Sequence, residues 1–257
     1  MKKAALIALA LLAGCGGGSA HKPAPKPKPA TEPPSPTPET RVLRPVQLGR
    51  SYGGRLIEAL HRGDPSKPPV LIIGCIHGTE CAGIPIARAL EHVHTSADLW
   101  IVPNLNPDGY ARGIRQNGRG VDLNANWSSQ WQGGGRPFDT YYPGPRPFSE
   151  RETRIARKLI LRIHPRVTIW YHQHMDLVWA YGPSSAAGRT YARAVRMRFY
   201  HHHWLRGTAT NWQNHHLPDT ASFTVELPAG SLSRAQVRRH VRAVLRLADS
   251  RRVGFET

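Results

Sequence analysis

The chain has 257 residues, of which 40% are hydrophobic and 20% are charged. This length and composition indicate one domain with a substantial core, and they exclude a chain that is disordered throughout. A single apolar run, at residues 4–14, approaches the length of a membrane span, but about 20 residues are needed to cross a bilayer. A polytopic membrane protein is therefore excluded as well.

The first 14 residues have the features of a secretory signal peptide. Lys2 and Lys3 precede a short apolar run that ends in small residues. Residues 12–15, Leu-Ala-Gly-Cys, resemble the lipobox of bacterial lipoproteins, in which the cysteine is lipidated and becomes the mature amino terminus. The resemblance implies lipidation of Cys15 and a membrane-anchored protein facing the extracytoplasmic side. The alternative is an ordinary signal peptide with an incidental cysteine.

Residues 15–40 are expected to form a tether. Eight of the 20 residues from 21 to 40 are prolines, interleaved with charged residues. Such a composition buries little apolar surface and favours an extended polyproline II conformation. The predicted organisation is a lipoprotein signal peptide at 1–14, a lipidated cysteine and proline-rich tether at 15–40, and one folded domain at 41–257.

The folded domain is strongly basic. The formal net charge is +18, and +15 remains on residues 41–257 once the two lysines of the leader and the net +1 of residues 21–40 are set aside. Nucleic acid is the usual partner of so basic a domain. Export argues against it, and the sequence has no zinc-finger spacing and no basic motif with interleaved aromatic residues. We therefore expect no nucleic-acid partner, and anionic lipids, wall polymers and acidic peptides as the surroundings.

Strand and helix patterns alternate along the domain. Residues 70–76 form a continuous apolar run of strand length, followed by a helical pattern of Ile84, Ala87 and Leu90. Residues 99–102 are a second apolar strand, which precedes a predicted turn at residues 106–109, Asn-Pro-Asp-Gly. This part of the chain thus begins with a βα unit and continues into a second buried strand.

The second half continues the alternation. Ser149 and Glu152 have the spacing of a capping box that opens a helix. Residues 167–171 and 223–227 predict further strands, and an apolar stripe at residues 237–248 predicts a carboxy-terminal helix. The whole pattern predicts an α/β fold, a three-layer α/β/α sandwich around a mostly parallel mixed sheet. Functional residues are then expected beyond the carboxyl ends of the strands.

A candidate metal motif follows the first of these strands. His77 and Glu80 are spaced as H-x-x-E directly after the apolar run. Histidine and carboxylate suit Zn²⁺, and a catalytic zinc site needs three protein ligands with one position open. The motif alone is weak evidence, because a chain with 14 histidines contains such tetrapeptides by chance.

Four further motifs follow in a fixed order. They are Asn-Pro-Asp-Gly at 106–109, Arg-Gln-Asn at 115–117, Gly-Val-Asp-Leu-Asn at 120–124 and Phe-Thr-Val-Glu-Leu at 223–227. Together with His77, Glu80 and residues 48–58, they resemble the zinc carboxypeptidase family, most closely its bacterial murein peptide amidase branch. The resemblance covers about residues 45–247 and implies the fold of that family.

The resemblance also implies one zinc ion and its ligands. His77 and Glu80 would be the first two ligands, and the third would be a histidine at the end of the strand at 167–171. Both His172 and His174 lie there, and in an extended segment they point to the same face. The position directly after the apolar strand favours His172. His174 would then either support the metal ligands or face the substrate.

Two catalytic roles follow from the same resemblance. Glu226 stands in an otherwise apolar strand, where a carboxylate is costly unless it faces a polar cavity. In the family pattern this residue is the general base that takes a proton from the attacking water and passes it to the leaving amine. Arg115 matches the arginine that stabilises the developing oxyanion.

The chain departs from the family pattern at one position. The family has Asn-Arg-Asn where this chain has Asn124, Ala125 and Asn126, and the family's arginine pairs with the substrate's carboxy-terminal carboxylate. Alanine cannot make that contact, so strict carboxypeptidase specificity is in doubt. Asn124 remains as a substrate-binding candidate, and Arg119 or another arginine of the domain would have to supply the missing cation.

Cys75 and Cys81 flank the H-x-x-E motif. In an exported protein such a pair is typical of a disulfide. The alternatives are two buried thiols or a thiolate near the metal.

The combined interpretation is an exported, zinc-dependent hydrolase of short peptides. The family branch, the anchor and the basic surface suggest murein stem peptides as substrates. The resemblance to that branch alone implies that the bond is the γ-D-glutamyl–diaminopimelate amide. Two alternatives remain: a zinc deacylase of N-acyl amino acids, and a peptide- or wall-binding protein whose catalysis was weakened by the loss of arginine at position 125.

Overall fold

The computed structural model describes residues 45–250. The predicted signal peptide, Cys15 and the tether lie outside the described residues. Within them the strands are β1 (Val46–Arg50), β2 (Leu56–Arg62), β3 (Val70–Ile73), β4 (Leu99–Val102), β5 (Val167–Ala180), β6 (Arg198–His201) and β7 (Ala221–Pro228). The helices are α1 (Ile84–Leu90), α2 (Pro107–Arg112), α3 (Arg151–Ile163), α4 (Ser185–Val195), α5 (Ala209–His216) and α6 (Arg234–Asp249).

The strands form one mixed sheet in the order β1-β2-β4-β3-β5-β6, with β7 paired to β5. The pairs β1–β2 and β2–β4 are antiparallel, whereas β3 runs parallel to both β4 and β5. The prediction of a mostly parallel mixed sheet is confirmed. The carboxyl ends of β3 and β7 consequently meet the middle of β5 at one edge, where a functional site is expected.

Strand β5 is longer than the sequence indicated, and it bends back along β7. The predicted strand ended at residue 171, but β5 continues to Ala180. Its first half pairs with β7 from Val167 opposite Ala221 to His174 opposite Pro228. The chain then turns back along β7, so that Leu177 as well as His172 lies opposite Glu226. Because a strand has two edges, β7 is held between the two halves of β5. Glu226 therefore lies in the middle of the sheet.

Helices cover both faces of the sheet, which gives the predicted three layers. Alternate residues of β3 separate the two cores, with Val70 and Ile72 in one and Leu71 and Ile73 in the other. Helices α1, α4 and α6 pack on the first face, and α3 and α5 pack on the second. His172 and Glu226 alternate with residues of the first core, so their side chains project from the second face.

Two local predictions are wrong, and each error has a physical reason. Helix α3 begins after Glu150 without a side-chain cap, because the carboxylate of Glu152 instead accepts hydrogen bonds from the backbone of Tyr52 and the side chain of Asn117. Residues 106–109 are not a free turn: the side chain of Asn106 accepts a hydrogen bond from the backbone of Gly109 and caps α2. Across residues 45–250, no helix combines the length and apolar character needed to span a bilayer.

Candidate metal centre and cleft

The loop after β3 is held in place by its neighbours. The Asn106 side-chain amide donates to the carbonyls of Ile76 and Arg115. Gly78 donates its backbone N–H to Arg115 at 3.1 Å, and a Cβ at Gly78 would lie only 2.1 Å from the backbone of Gly109. The Asn-Pro-Asp-Gly motif therefore fixes the segment that carries His77 and brings it against the segment that carries Arg115.

Three candidate ligand groups converge above the end of the sheet. The Oε2 atom of Glu80 lies 2.8 Å from Nδ1 of His77 and 3.1 Å from Nδ1 of His172, and the two Nδ1 atoms are 3.2 Å apart. All three ligand atoms lie within 4.8 Å of one another. Among residues 45–250, His77, Glu80 and His172 are the one such group of histidine, cysteine and carboxylate side chains.

Asp122 lies behind this group and orients it. Its Oδ1 atom is 2.9 Å from Nε2 of His77, so the histidine donates through Nε2 and presents Nδ1 to the centre of the group. Such carboxylate–histidine pairs set the tautomer and orientation of metal-binding histidines. Burial opposes the ionised form of Asp122, but His77 and Arg115 lower the pKa of this carboxyl to about 2.

Arg115 connects the two carboxylates of the site. Its Nε and Nη2 atoms donate to Asp122 Oδ2 at 3.1 and 3.0 Å, and Nη1 donates to Glu80 Oε1. Burial disfavours its charged form, yet Asp122 and Glu80 raise the pKa of the guanidinium. For Glu80, burial favours the neutral acid, but His172 and His77 hold the pKa of the carboxyl well below its usual range. The centre is thus a compact network of paired charges.

Glu226 faces the same cleft from β7. It lies opposite His172 in the sheet register, and its Oε2 atom is buried without a hydrogen-bond partner among the described residues. A buried carboxylate oxygen without a partner is costly in a purely structural role. Its position beside the metal-ligand group is the one expected of the predicted base.

The other predicted site residues take different positions. His174 is exposed and lines the cleft without joining the ligand group, whereas His172 is 3% exposed. Asn124 lines the cleft and accepts a hydrogen bond from the backbone of Ala209 through Oδ1. Cys75 and Cys81 form a disulfide, which closes the short loop that carries His77 and Glu80.

Two adjoining cavities make up the cleft. The metal-ligand group opens into a cavity of about 270 Å³, and a larger one of about 580 Å³ lies beside it. Both are lined by Arg115, Asn124, Tyr141, Leu205 and Thr208. Ala125 and Arg206 line the larger cavity.

Three residues of this cleft were not predicted from the sequence to have a role. Asp122 belongs to the Gly-Val-Asp-Leu-Asn motif, where it stands between two apolar residues. An acidic residue in such a position indicates a buried carboxylate that has a polar partner. Tyr141, whose ring lies 5.3 Å from the guanidinium of Arg115, and Arg206 come from loops that carry no motif. Arg119, a predicted source of the missing cation, does not line either cavity.

The chain is similar in sequence to known zinc carboxypeptidases. A family model described as zinc carboxypeptidase matches residues 38–243. Carboxypeptidase B of Astacus astacus is 28% identical over 167 residues, which cover 52% of this chain and 55% of that enzyme. Metallocarboxypeptidase A of Trichophyton tonsurans is 31% identical over 145 residues, 43% of this chain and 34% of that protein. The chain thus spans about half or less of the length of these relatives.

Solved structures share the fold. A murein-tripeptide amidase from Escherichia coli O157 superposes with a TM-score of 0.67 at 23% identity, covering 79% of this chain and 91% of that one. Carboxypeptidase A from Helicoverpa armigera gives a TM-score of 0.67 at 21% identity, covering 80% of this chain and 68% of that one.

Proposed function

The chain belongs to the zinc carboxypeptidase family, and from this premise we propose that it is a zinc-dependent peptidase that hydrolyses short peptides. One observation carries the proposal: the convergence of His77, Glu80 and His172 within a cleft that also receives the unpartnered carboxylate of Glu226. A metal-ligand group beside a free base is what hydrolysis of a peptide bond by water requires.

The donor set fits a single zinc ion. Two imidazole nitrogens and one carboxylate oxygen are a three-ligand set of the kind found in catalytic zinc sites, and Asp122 already holds His77 in the tautomer that presents Nδ1. When bound by His77, Glu80 and His172, zinc supplies Lewis acidity that makes water a nucleophile near neutral pH. That chemistry matches the acid–base role available to Glu226.

The side chains around the ligand group then divide the remaining work. Glu226 takes a proton from the attacking water as the new carbon–oxygen bond forms, and returns it to the amine nitrogen as the carbon–nitrogen bond breaks. Arg115 uses three of its five N–H groups on Asp122 and Glu80. Its two remaining N–H groups are available to a developing oxyanion, where a fixed positive charge stabilises the transition state most.

The walls of the cleft suit a peptide. Three of the large hydrophobic side chains that are exposed in residues 45–250 border the cavities: Tyr141 at 71%, Leu205 at 59% and Met175 at 51% exposure. Apolar side chains left exposed around a cleft are typical of a ligand-binding surface. Together with the exposed polar groups, they favour short peptides over a small polar metabolite.

The finer proposal is that the substrates are murein stem peptides, cut outside the cytoplasmic membrane. It is supported by the lipobox-like residues 12–15, by the basic charge of the domain and by a fold neighbour that is a murein-tripeptide amidase. In this proposal Cys15 carries the lipid anchor, and the domain acts on peptides of the cell envelope.

A product analysis tests the proposal. The full-length protein, loaded with zinc, is incubated with a murein stem tripeptide and with a panel of ordinary L-peptides, and the products are identified by mass spectrometry. We expect cleavage that a chelator abolishes and added zinc restores. Cleavage of L-peptides alone would overturn the murein assignment, and absence of any cleavage would favour a binding protein.

A further inference from the structure

The larger cavity beside the metal centre has the properties of a binding site for one end of the substrate. It adjoins the smaller cavity through Asn124, Tyr141 and Thr208, so a peptide whose scissile bond lies at the metal centre extends into it. Its volume of about 580 Å³ exceeds the needs of a single small side chain. Ala125, which stands where the family's carboxylate-binding arginine is expected, lines this cavity.

Two arginines from the described part of the chain line the cleft. One is Arg115, which is engaged with Glu80 and Asp122. The other is Arg206, which is exposed and makes no hydrogen bond or ion pair within residues 45–250. Arg119 is directed elsewhere: its Nη1 atom is 3.9 Å from Glu150, and its guanidinium lies over the ring of Tyr52. Arg206 is therefore the free cation of this cavity.

The segment that carries Arg206 packs directly against the segment that carries Ala125. Gly207 accepts a hydrogen bond from Trp127 at 2.9 Å and donates one to Ser129 at 2.8 Å. It has a φ of +68°, and a Cβ added there would lie 2.8 Å from the carbonyl oxygen of Ala125. Glycine at 207 thus permits the close approach that places Arg206 on the wall next to position 125.

Asn124 completes the arrangement. Its Oδ1 atom accepts the backbone N–H of Ala209 at 3.1 Å, which leaves the two N–H groups of Nδ2 as the donors of this side chain. A guanidinium and an amide donor on one wall are complementary to a carboxylate, since charge-assisted hydrogen bonds of this kind are strong and directional.

We propose that Arg206, with Asn124, binds the free carboxylate at the carboxy terminus of the substrate, and so replaces the arginine that Ala125 lacks. The carboxylate-binding arginine of this chain then comes from the loop before α5 and not from residues 123–125. This inference rests on the proposed peptidase function for its setting, and it names Arg206 as the residue of this chain that selects a free carboxylate near the scissile bond.

The test compares two peptides that differ only in ending with a carboxylate or a carboxamide. We expect the unmodified enzyme to prefer the carboxylate. Arg206→Ala raises KM for the carboxylate peptide by about 10- to 100-fold and changes KM for the amide peptide little. Arg206→Lys lies between the two, because lysine keeps the charge but loses the bidentate geometry. Arg146→Ala, which removes an exposed arginine that does not line either cavity, leaves both values unchanged.

A second variant tests the relocation itself. Ala125→Arg in the Arg206→Ala background returns the cation to the family position, and we expect it to recover a large part of the preference for the carboxylate. Equal loss on both peptides in Arg206→Ala would overturn the proposal, because it would mean a general effect on the site. Unchanged preference in Arg206→Ala would overturn it as well.

A binding measurement separates this inference from the proposed function. Calorimetry with zinc-loaded Glu226→Gln protein gives the Kd of both peptides without turnover. If Arg206→Ala in that background abolishes the difference in Kd between carboxylate and amide, the inference stands even where the native protein cleaves neither peptide. If the difference persists, the inference is wrong even for an active enzyme.

Discussion

The two cavities of the cleft differ in how their charged side chains are held. Around the metal-ligand group, Arg115, Asp122 and His77 are each held by another charged or polar side chain, and His77 and Asp122 are almost fully buried. On the wall of the larger cavity, Arg206 is exposed and makes no hydrogen bond or ion pair within residues 45–250. The paired side chains fix the geometry of the metal centre before the substrate binds, as catalysis requires. The side chain of Arg206, unpaired within the described residues, is instead free to pair with the substrate.

The difference follows from where each region lies in the fold. His172 and Glu226 are carried by adjacent strands in the centre of the sheet, so their separation is set by the sheet itself. Arg206 belongs to the connection between β6 and α5, and loops of this kind vary without disturbing a core. A cation can therefore move from one loop to another while the chemistry at the strand ends stays the same.

The largest expected effect comes from replacing Glu226, the proposed general base on the central strand β7. Glu226→Gln keeps the size of the side chain but cannot take a proton, so we expect hydrolysis to fall by about 100- to 10,000-fold. Zinc content, measured by atomic emission spectroscopy on the purified protein, stays at one ion because Glu226 is not in the ligand group. Full activity in this variant would remove the assignment of the base.

The next effect separates His172 and His174, the two histidines in the middle of β5. His172→Ala removes a ligand, and we expect zinc to be lost on dialysis against a weak chelator. His174→Ala removes an exposed side chain of the cleft wall, so zinc is retained and only KM changes. Retention of zinc in the first variant and its loss in the second would reverse the assignment of the third ligand.

A smaller effect tests the orienting carboxylate. Asp122→Asn removes the negative charge behind His77 and one side of the Arg115 pairing. Changes at such partners typically reduce metal affinity about 10- to 100-fold, which competition with a fluorescent zinc chelator measures. Asp139→Asn is the matched control, since that exposed aspartate lines the larger cavity away from the ligand group. Equal affinity in both variants would contradict the orienting role.

The sequence predicted the layers because they depend on local patterns, whereas the three candidate metal ligands came from the ordered motifs and their resemblance to a family. Apolar runs at β3 and β5 reflect burial on both faces, and His77 and Glu80 are three residues apart on one loop. The return of β5 along β7 was not predicted, because nothing local to residues 172–177 records which strand lies beside them. The role of Arg206 also depends on distant packing, between segments about 80 residues apart in the chain.

The capping box at Ser149 and Glu152 failed for a related reason. Its spacing is correct, but Glu152 is fully buried, and distant partners at Tyr52 and Asn117 compete for its carboxylate. A local motif predicts structure only when its groups are not claimed by the tertiary fold. The Asn-Pro-Asp-Gly sequence differs, because Asn106 caps α2 through the nearby Gly109. Its side-chain amide also donates to Ile76 and Arg115, which holds the metal-binding loop.

The smallest expected effect concerns His240, which lies on the face of the sheet opposite the metal centre. The polar groups buried there are uncharged. The hydroxyl of Tyr191 lies 2.8 Å from Nδ1 of His240, within hydrogen-bond distance, and burial, with Arg239 nearby, lowers the pKa of His240 to about 4. Because the unfolded chain takes up this proton near pH 6.5 and the folded protein does not, stability falls as the pH drops from about 6.5 to 4. The loss attributable to His240 is about 2 to 3 kcal/mol.

The variant His240→Gln tests this, because glutamine keeps a hydrogen-bonding side chain beside Tyr191 but does not titrate. In urea unfolding between pH 7 and 4.5, we expect the variant to lose less stability than the native protein. Its peptidase activity at pH 7 is expected to be unchanged. Parallel curves for the two proteins would contradict this prediction, because they would show that His240 binds its proton equally well in the folded and unfolded states.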